Sequence, residues 1–191
     1  MALTKGLPTL PFASVLLLEQ WLFKHHDQLD GVWIKIAKKA SGVASVTHDE
    51  ALDVALCYGW IDGQRNSYDD RYFLQKFTPR RPRSLWSKRN IDKVAMLMAA
   101  GKMQSSGLAE IEAAKQDGRW EAAYDSQKNM VVPKDFLKAL GKDKQAQAFF
   151  NTLSKSNVYA IAWRLETAKK SETRKRRFDA LLAMLERREF R

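Results

Sequence analysis

Strand-like and helix-like sequence patterns occupy different parts of this chain, and that separation limits the possible folds more than any other feature. Residues 32–36, 64–68 and 71–78 have the aromatic and β-branched content of strands. From residue 133 onwards, apolar residues recur at the three- and four-residue steps of helices. We therefore predict an α+β fold: an N-terminal part with a small antiparallel sheet flanked by helices, followed by a C-terminal helical part.

The clearest local signal is a capping box. Thr47 and Glu50 have the spacing at which each side chain can bond the other residue's backbone N–H. A helix is predicted to follow over residues 48–58, with Leu52 and Leu56 buried.

The other helices are predicted from apolar spacing and from flanking residues. Asn90 is placed as the cap of a helix, and Pro133 at the first position of another. A helix at 105–117 is expected to turn Leu108 inward. Further helices are predicted over residues 13–26, 142–153, 156–169 and 172–188.

Charge divides the chain as the secondary structure does. The irregular stretch 118–132 is predicted to separate an α+β domain with a basic loop, residues 1–125, from a helical C-terminal region, residues 126–191. The net charge is +11, yet residues 1–65 carry 6 basic and 7 acidic side chains, whereas residues 132–191 carry 15 and 7. This excess predicts attraction to polyanions such as nucleic acid, phosphorylated ligands or anionic lipid.

Composition argues against several kinds of site. Cys57 is the one cysteine, so no internal disulfide is possible, and its apolar neighbours predict a buried, inert thiol. His25 and His26 are adjacent and point apart, and His48 lies inside the capping box, so we predict no metal site and no cofactor. With no signal peptide and no apolar run near the roughly 20 residues of a membrane span, we expect a cytoplasmic protein.

The basic segment 79–90 is the first candidate for function. Residues 76–93 contain seven basic and one acidic side chain, and Pro79 and Pro82 hold the backbone extended. Arginine forks suit phosphate or carboxylate, and a tryptophan offers a stacking face. The candidate ligand-binding residues here are Arg80, Arg81, Arg83, Trp86, Ser87, Lys88 and Asn90. The alternative interpretation is a solvated basic loop with Trp86 docked in the core.

Two further segments carry weaker signals. Trp60 and Asp62 lie in a Gly-Trp-Ile-Asp-Gly string, which favours a structural turn, although Asp62 could hold an arginine of the basic segment. No partner carboxylate stands at a suitable spacing, so no catalytic residue is assigned. Lys170, Arg174 and Arg177 lie along one helix face, a basic patch that is typical of solvated surface or of nonspecific attraction to nucleic acid.

Motifs spread along the chain carry a family resemblance. They occupy residues 32–34, 47–52, 55–63, 77–80, 86–90, 101–103, 114–120 and 168–176. On these residues the chain resembles the YdeI/OmpD-associated (bacteriocin-protection) family of bacteria. The resemblance implies protection against bacteriocins or antimicrobial stress, and association with an outer-membrane porin.

Three functions stay open at this point. The leading hypothesis is a non-enzymatic stress-response protein that binds an anionic ligand between the Asp62 turn and segment 80–90. The second is a nonspecific nucleic-acid-binding protein that uses residues 76–93 and 169–177 together. The third is an enzyme of unrecognised type, with a pocket assembled from residues far apart in the sequence.

Overall fold

The strand-like segments of the first half form a sheet. In the computed structural model, which describes residues 6–125 and 129–190, four strands lie in the order β1-β2-β4-β3. They are β1 (Thr9–Pro11), β2 (Val32–Ala37), β3 (Trp60–Ser67) and β4 (Tyr72–Pro79). Because β4 pairs antiparallel with both β2 and β3, the predicted α+β fold with its small sheet is confirmed.

Strand β1 is the part of the sheet that the sequence pattern did not predict. It is three residues long and pairs parallel with β2, which makes the sheet mixed. Its last residue, Pro11, has no N–H to donate, and such residues are tolerated at a sheet edge. A strand this short is too brief to show the alternation on which strand prediction depends.

Each predicted helix is present, with its ends shifted by a few residues. The bounds are α1 (Val15–His25), α2 (His48–Cys57), α3 (Lys88–Ala99), α4 (Ser105–Gln116), α5 (Lys134–Leu140), α6 (Lys144–Asn151), α7 (Lys155–Glu166) and α8 (Ser171–Glu186), with a short 3-10 helix at Lys39–Ser41. Residues 126–128, within the stretch predicted to be irregular, lie outside the described residues.

The chain divides into two compact units, and the first contains the sheet. It comprises Met1–Trp86 and Asn90–Ala123. Val32, Ile34 and Ile36 alternate along β2 into its core, where α2 packs on β3 and α1 packs on α2.

The predicted capping box begins α2. Thr47 Oγ1 accepts a hydrogen bond from the Glu50 N–H at 3.2 Å, and Glu50 Oε2 accepts one from the Thr47 N–H at 2.8 Å. Leu52 and Leu56 are buried, as predicted from their spacing. This helix therefore follows directly from local sequence.

The second unit, Ser87–Arg89 with Tyr124–Arg191, has a helical core of its own. The apolar stripes of α7 and α8 are buried here, and the Phe136 and Phe178 rings meet edge to face at 5.1 Å between centroids. Pro133 stands at the N-cap of α5, one position before the predicted one.

The turn predicted at Asp62 and Gly63 is wrong, because both residues lie inside β3. The β3–β4 register shifts between Asp62 and Arg65, so the glycine marks a bulge rather than a hairpin loop. The buried Gln75 side chain donates to the Gly63 carbonyl at 2.9 Å and satisfies this irregular backbone. The chain instead turns sharply at Gly59, whose φ of +76° favours glycine.

Two predictions for the helices of the first unit also need correction. Asn90 does not cap α3: the helix starts at Lys88, and Asn90 is buried in its first turn. Leu108 is 42% exposed because Gly107 takes the inward position on α4. A Cβ on Gly107 would lie 2.2 Å from the Cys57 carbonyl oxygen, so any side chain would push α4 away from α2.

A stack of three side chains holds the segment that follows β4. The Arg80 guanidinium lies 3.5 Å from the centre of the Trp86 ring, and the Trp86 and Trp120 ring centres are 4.9 Å apart. Arg80 is 5% exposed and Trp86 2%. The backbone N–H of Arg80 also donates to the Gly59 carbonyl at 3.0 Å. We call Arg80, Trp86 and Trp120 the Arg80 stack.

Breaking the capping box should destabilise the first unit. Thr47→Ala removes the acceptor for the Glu50 N–H, and loss of such a cap costs about 1 kcal/mol. Hydrogen bonds from the Thr47 backbone and then its hydroxyl lower the pKa of Glu50. The contribution of the Glu50 carboxylate to the free energy of unfolding is therefore complete at neutral pH and is lost as the pH falls below about 4. Urea unfolding should show a larger loss for Glu50→Ala at pH 7 than at pH 3.

The matched control for the cap is Ser105→Ala, at the exposed start of α4, a helix that no side chain caps. It should change the free energy of unfolding by less than about 0.5 kcal/mol. Equal stability of Thr47→Ala and wild type at pH 7 would contradict this account of α2.

Removing the Arg80 side chain should destabilise the first unit as a core truncation does. A desolvated cation–π contact contributes about 2 kcal/mol, and Arg80→Ala also removes the packing of the side-chain stem. Urea unfolding followed by tryptophan fluorescence measures the loss. The neighbouring Arg81→Ala, at an exposed position, should stay within about 0.5 kcal/mol of wild type. If the two variants were equally stable, the Arg80 stack would have no structural role.

Candidate functional site

An open cleft lies at the end of β4 in the first unit. Its volume is about 470 Å³. The lining residues are Leu7, Asp30, Lys76, Thr78, Pro79, Arg80, Arg81 and Pro82. We call it the β4 cleft.

Alternation along β4 places Lys76 and Thr78 at the cleft. Phe77 points into the core, so its two neighbours point to the opposite face of the sheet. Trp33 on β2 is the residue paired with Lys76. On that face the Lys76 ammonium lies 5.9 Å from the centre of the Trp33 ring. The strand thus delivers one cation and one hydroxyl to the cleft.

Gly31 allows the opposite wall to approach β4. Its φ is +150°, and a Cβ there would lie 2.8 Å from both the Phe77 carbonyl oxygen and Thr78 Cγ2. A larger residue would force the two segments apart and widen the cleft. Asp30, immediately before this glycine, lines the cleft as a result.

Charge in the β4 cleft is mainly positive. Lys76 and Arg81 contribute two accessible cations against the single carboxylate of Asp30, and the third lining cation, Arg80, is buried against Trp86. Within residues 6–125 and 129–190, neither Lys76 nor Arg81 forms an ion pair. Since arginine presents a planar fork that matches carboxylate and phosphate, the cleft is suited to hold a small anion.

Of the predicted site residues, the structure brings Arg80 and Arg81 together at the cleft. Trp60 and Asp62 lie elsewhere in the first unit. The Trp60 ring is buried in the core and donates its Nε1–H to the His26 carbonyl at 3.0 Å. Asp62 Oδ2 lies 3.0 Å from His48 Nε2, so the helix α2 that it faces accounts for this position on the strand.

The remaining candidate residues of the basic segment do not line the β4 cleft. Trp86 is buried within the Arg80 stack, as expected from the alternative interpretation in which it docks in the core. Arg83 is exposed with a φ of +67°, and Asn90 is buried in α3. Ser87 forms a β-bridge with Tyr124, and Lys88 pairs with Asp125 at 2.9 Å.

The predicted basic patch of α8 is largely engaged within the second unit. Arg174 pairs with Asp135 at 2.8 Å, which lowers the pKa of that carboxyl group. Arg177 donates to the Arg164 carbonyl oxygen at 2.8 Å. Lys170 is exposed immediately before the helix.

Sequence reasoning missed the other contributors to the cleft. Lys76 was counted only as one of the basic side chains of residues 76–93. The alternation of β4 could have predicted the face of the sheet to which its side chain points. Leu7 and Asp30 carried no local signal, because they reach the cleft through the pairing of β1, β2 and β4.

The burial predicted for Cys57 is confirmed, and that burial raises the pKa of its thiol to about 11.

Neither a metal centre nor a membrane span is found among the residues that the structure describes. No three His, Cys, Asp or Glu side chains there are grouped so that they could hold a metal ion. No helix of those residues is long and apolar enough to cross a membrane.

Comparison with known families finds two matches on separate parts of the chain. Residues 129–188 match the family described as Bacteriocin-protection, YdeI or OmpD-Associated, which confirms the resemblance for this segment. Of the motifs on which the resemblance was stated, 168–176 lies inside the match and the others lie outside it. Neither the curated proteins nor the solved structures give a match. Residues 10–110, more than half of the chain, match the family described as Domain of unknown function (DUF8412). The chain therefore belongs to this DUF8412 family, and its C-terminal segment is similar to the bacteriocin-protection family.

Proposed function

We propose that this protein is a non-enzymatic binding protein that takes up a small anion in the β4 cleft. The observation that carries the proposal is that two accessible basic side chains, Lys76 and Arg81, line a cleft with one carboxylate, beside the buried positive charge of Arg80. Charge-assisted hydrogen bonds from arginine and lysine to an oxyanion are about twice as strong as neutral ones. Thr78 adds a neutral donor on the same wall.

Rigidity of the cleft supports this proposal. Pro79 and Pro82 restrict the backbone, and the Arg80 stack fixes the segment between β4 and Trp86. A preorganised site loses less conformational entropy on binding, so fewer contacts are needed for a given affinity. A purely electrostatic surface would gain little from this restraint.

The biological setting is the second part of the proposal. The match of residues 129–188 to a bacteriocin-protection family supports a role in bacterial stress or bacteriocin protection. The cytoplasmic location expected from the sequence belongs to the same proposal. The first unit would bind the anion, and the proposed stress role rests on the family match of residues 129–188 in the second unit.

Nonspecific binding of nucleic acid is the second candidate. The observation in its favour is a run of exposed cations at the start of α8, at Lys169, Lys170, Lys175 and Arg176. Attraction of this kind comes from phosphate neutralisation and counterion release, and it weakens steeply with salt. Arg174 and Arg177 contribute less than the sequence suggested, because contacts inside the unit hold them.

Removing one cation of the β4 cleft should weaken binding of inorganic phosphate. Hydrogen bonds to charged groups contribute about 1.5–3 kcal/mol, so Lys76→Ala and Arg81→Ala should each raise Kd by about tenfold or more. Isothermal titration calorimetry measures the change. Arg83→Ala is the matched control, because it removes the same charge from an exposed position outside the cleft.

The same variants separate the two candidates when single-stranded DNA is titrated by fluorescence anisotropy across a salt series. If the protein binds a discrete anion, Arg83→Ala keeps wild-type phosphate affinity and DNA binding is absent near physiological salt. Tight DNA binding there, reduced by Lys175→Ala and Arg176→Ala and unaffected by Arg81→Ala, would refute the β4 cleft as the working site.

A further inference from the structure

The β4 cleft contains an acidic group as well as its cations. Asp30 is exposed and lines the same cleft as Lys76 and Arg81. In the described part of the chain no basic nitrogen lies within 4.0 Å of its carboxylate, so the opposite charges do not neutralise each other. Separated charges of both signs therefore face the space that a ligand would fill.

Backbone geometry sets the place of Asp30. The adjacent Gly31 has the φ of +150° and the close approach to β4 that exclude a side chain. On the same wall, the Trp33 N–H donates to the Pro8 carbonyl at 2.9 Å and ties the segment of Leu7 to β2. The backbone at Asp30 is thus held at a position that the fold defines.

A ligand with negative charge alone fits this arrangement poorly. Its anionic group would be attracted by Lys76 and Arg81 and repelled by Asp30, whereas a second, positively charged group would be attracted to Asp30. A site that combines attraction for one partner with repulsion of another discriminates between them. Leu7, Pro79 and Pro82 supply apolar surface for a short carbon linker between the two groups.

We infer that the ligand of the β4 cleft is a small zwitterionic phosphomonoester, with its phosphate toward Lys76 and Arg81 and its ammonium toward Asp30. This inference rests on the proposed anion-binding function and names its ligand class. A phosphomonoester carries between −1.5 and −2 charges at neutral pH, which suits several cations, and one ammonium suits one carboxylate.

The test compares two phosphates that differ in a single group. Ethyl phosphate and O-phosphoethanolamine share the phosphate and the two-carbon unit, and only the second has an ammonium. Calorimetry at pH 7.5 should give wild type at least a fivefold lower Kd for O-phosphoethanolamine. Asp30→Asn should abolish that preference and leave ethyl phosphate binding equal or tighter. Asp27→Asn, an equal charge change at an exposed residue outside the cleft, should retain the preference.

The outcomes distinguish this inference from the proposed function. Equal affinity of wild type for the two phosphates, with both lost on Arg81→Ala, would overturn the zwitterionic ligand and leave the anion site standing. An unchanged preference in Asp30→Asn would overturn the role of Asp30. Absence of binding for both phosphates would overturn the proposed anion site and this inference with it.

Discussion

A guanidinium loses its hydration when it is buried, and a fold tolerates this only where other contacts replace the water. Arg80 is in that position, with its guanidinium 3.5 Å from the centre of the Trp86 ring, which in turn contacts Trp120. Its backbone is tied to Gly59, where the chain turns from α2 into β3. The segment after β4 therefore leaves the sheet in one defined direction, with Arg80 packed inside and the adjacent Arg81 exposed at the cleft.

The same contact connects the fold with the proposed function. Alternation along β4 gives Lys76 and Thr78 to the cleft, and Gly31 brings Asp30 close from the opposite side. All four charged residues of the cleft lie inside residues 10–110, the part of the chain that belongs to the DUF8412 family. The bacteriocin-protection similarity lies in residues 129–188, outside that part. The proposed anion binding and the proposed stress role thus rest on different segments of the chain, and each can be tested alone.

Local signals predicted most of the fold. The capping box at Thr47, the aromatic and β-branched content of β2 and the apolar stripes of α7 and α8 depend on neighbours within a few residues, so the sequence displays them directly. The site depends on distant pairs. Asp30 and Lys76 line one cleft because β2 pairs with β4, and the bulge after Asp62 turns an apparent loop signal into part of a strand. Arg80 and Arg81 are neighbours in the basic segment, and the sequence does not show that the first is buried and the second exposed.

If a small anion binds at one place, the β4 cleft, then backbone amide chemical shifts should locate it. The measurement is ¹H–¹⁵N NMR with inorganic phosphate titrated at near-physiological salt. We expect saturable shifts concentrated at Asp30, Lys76, Thr78 and Arg81. Shifts concentrated instead at Lys170 and Arg176, or no saturable shifts at the cleft, would contradict it.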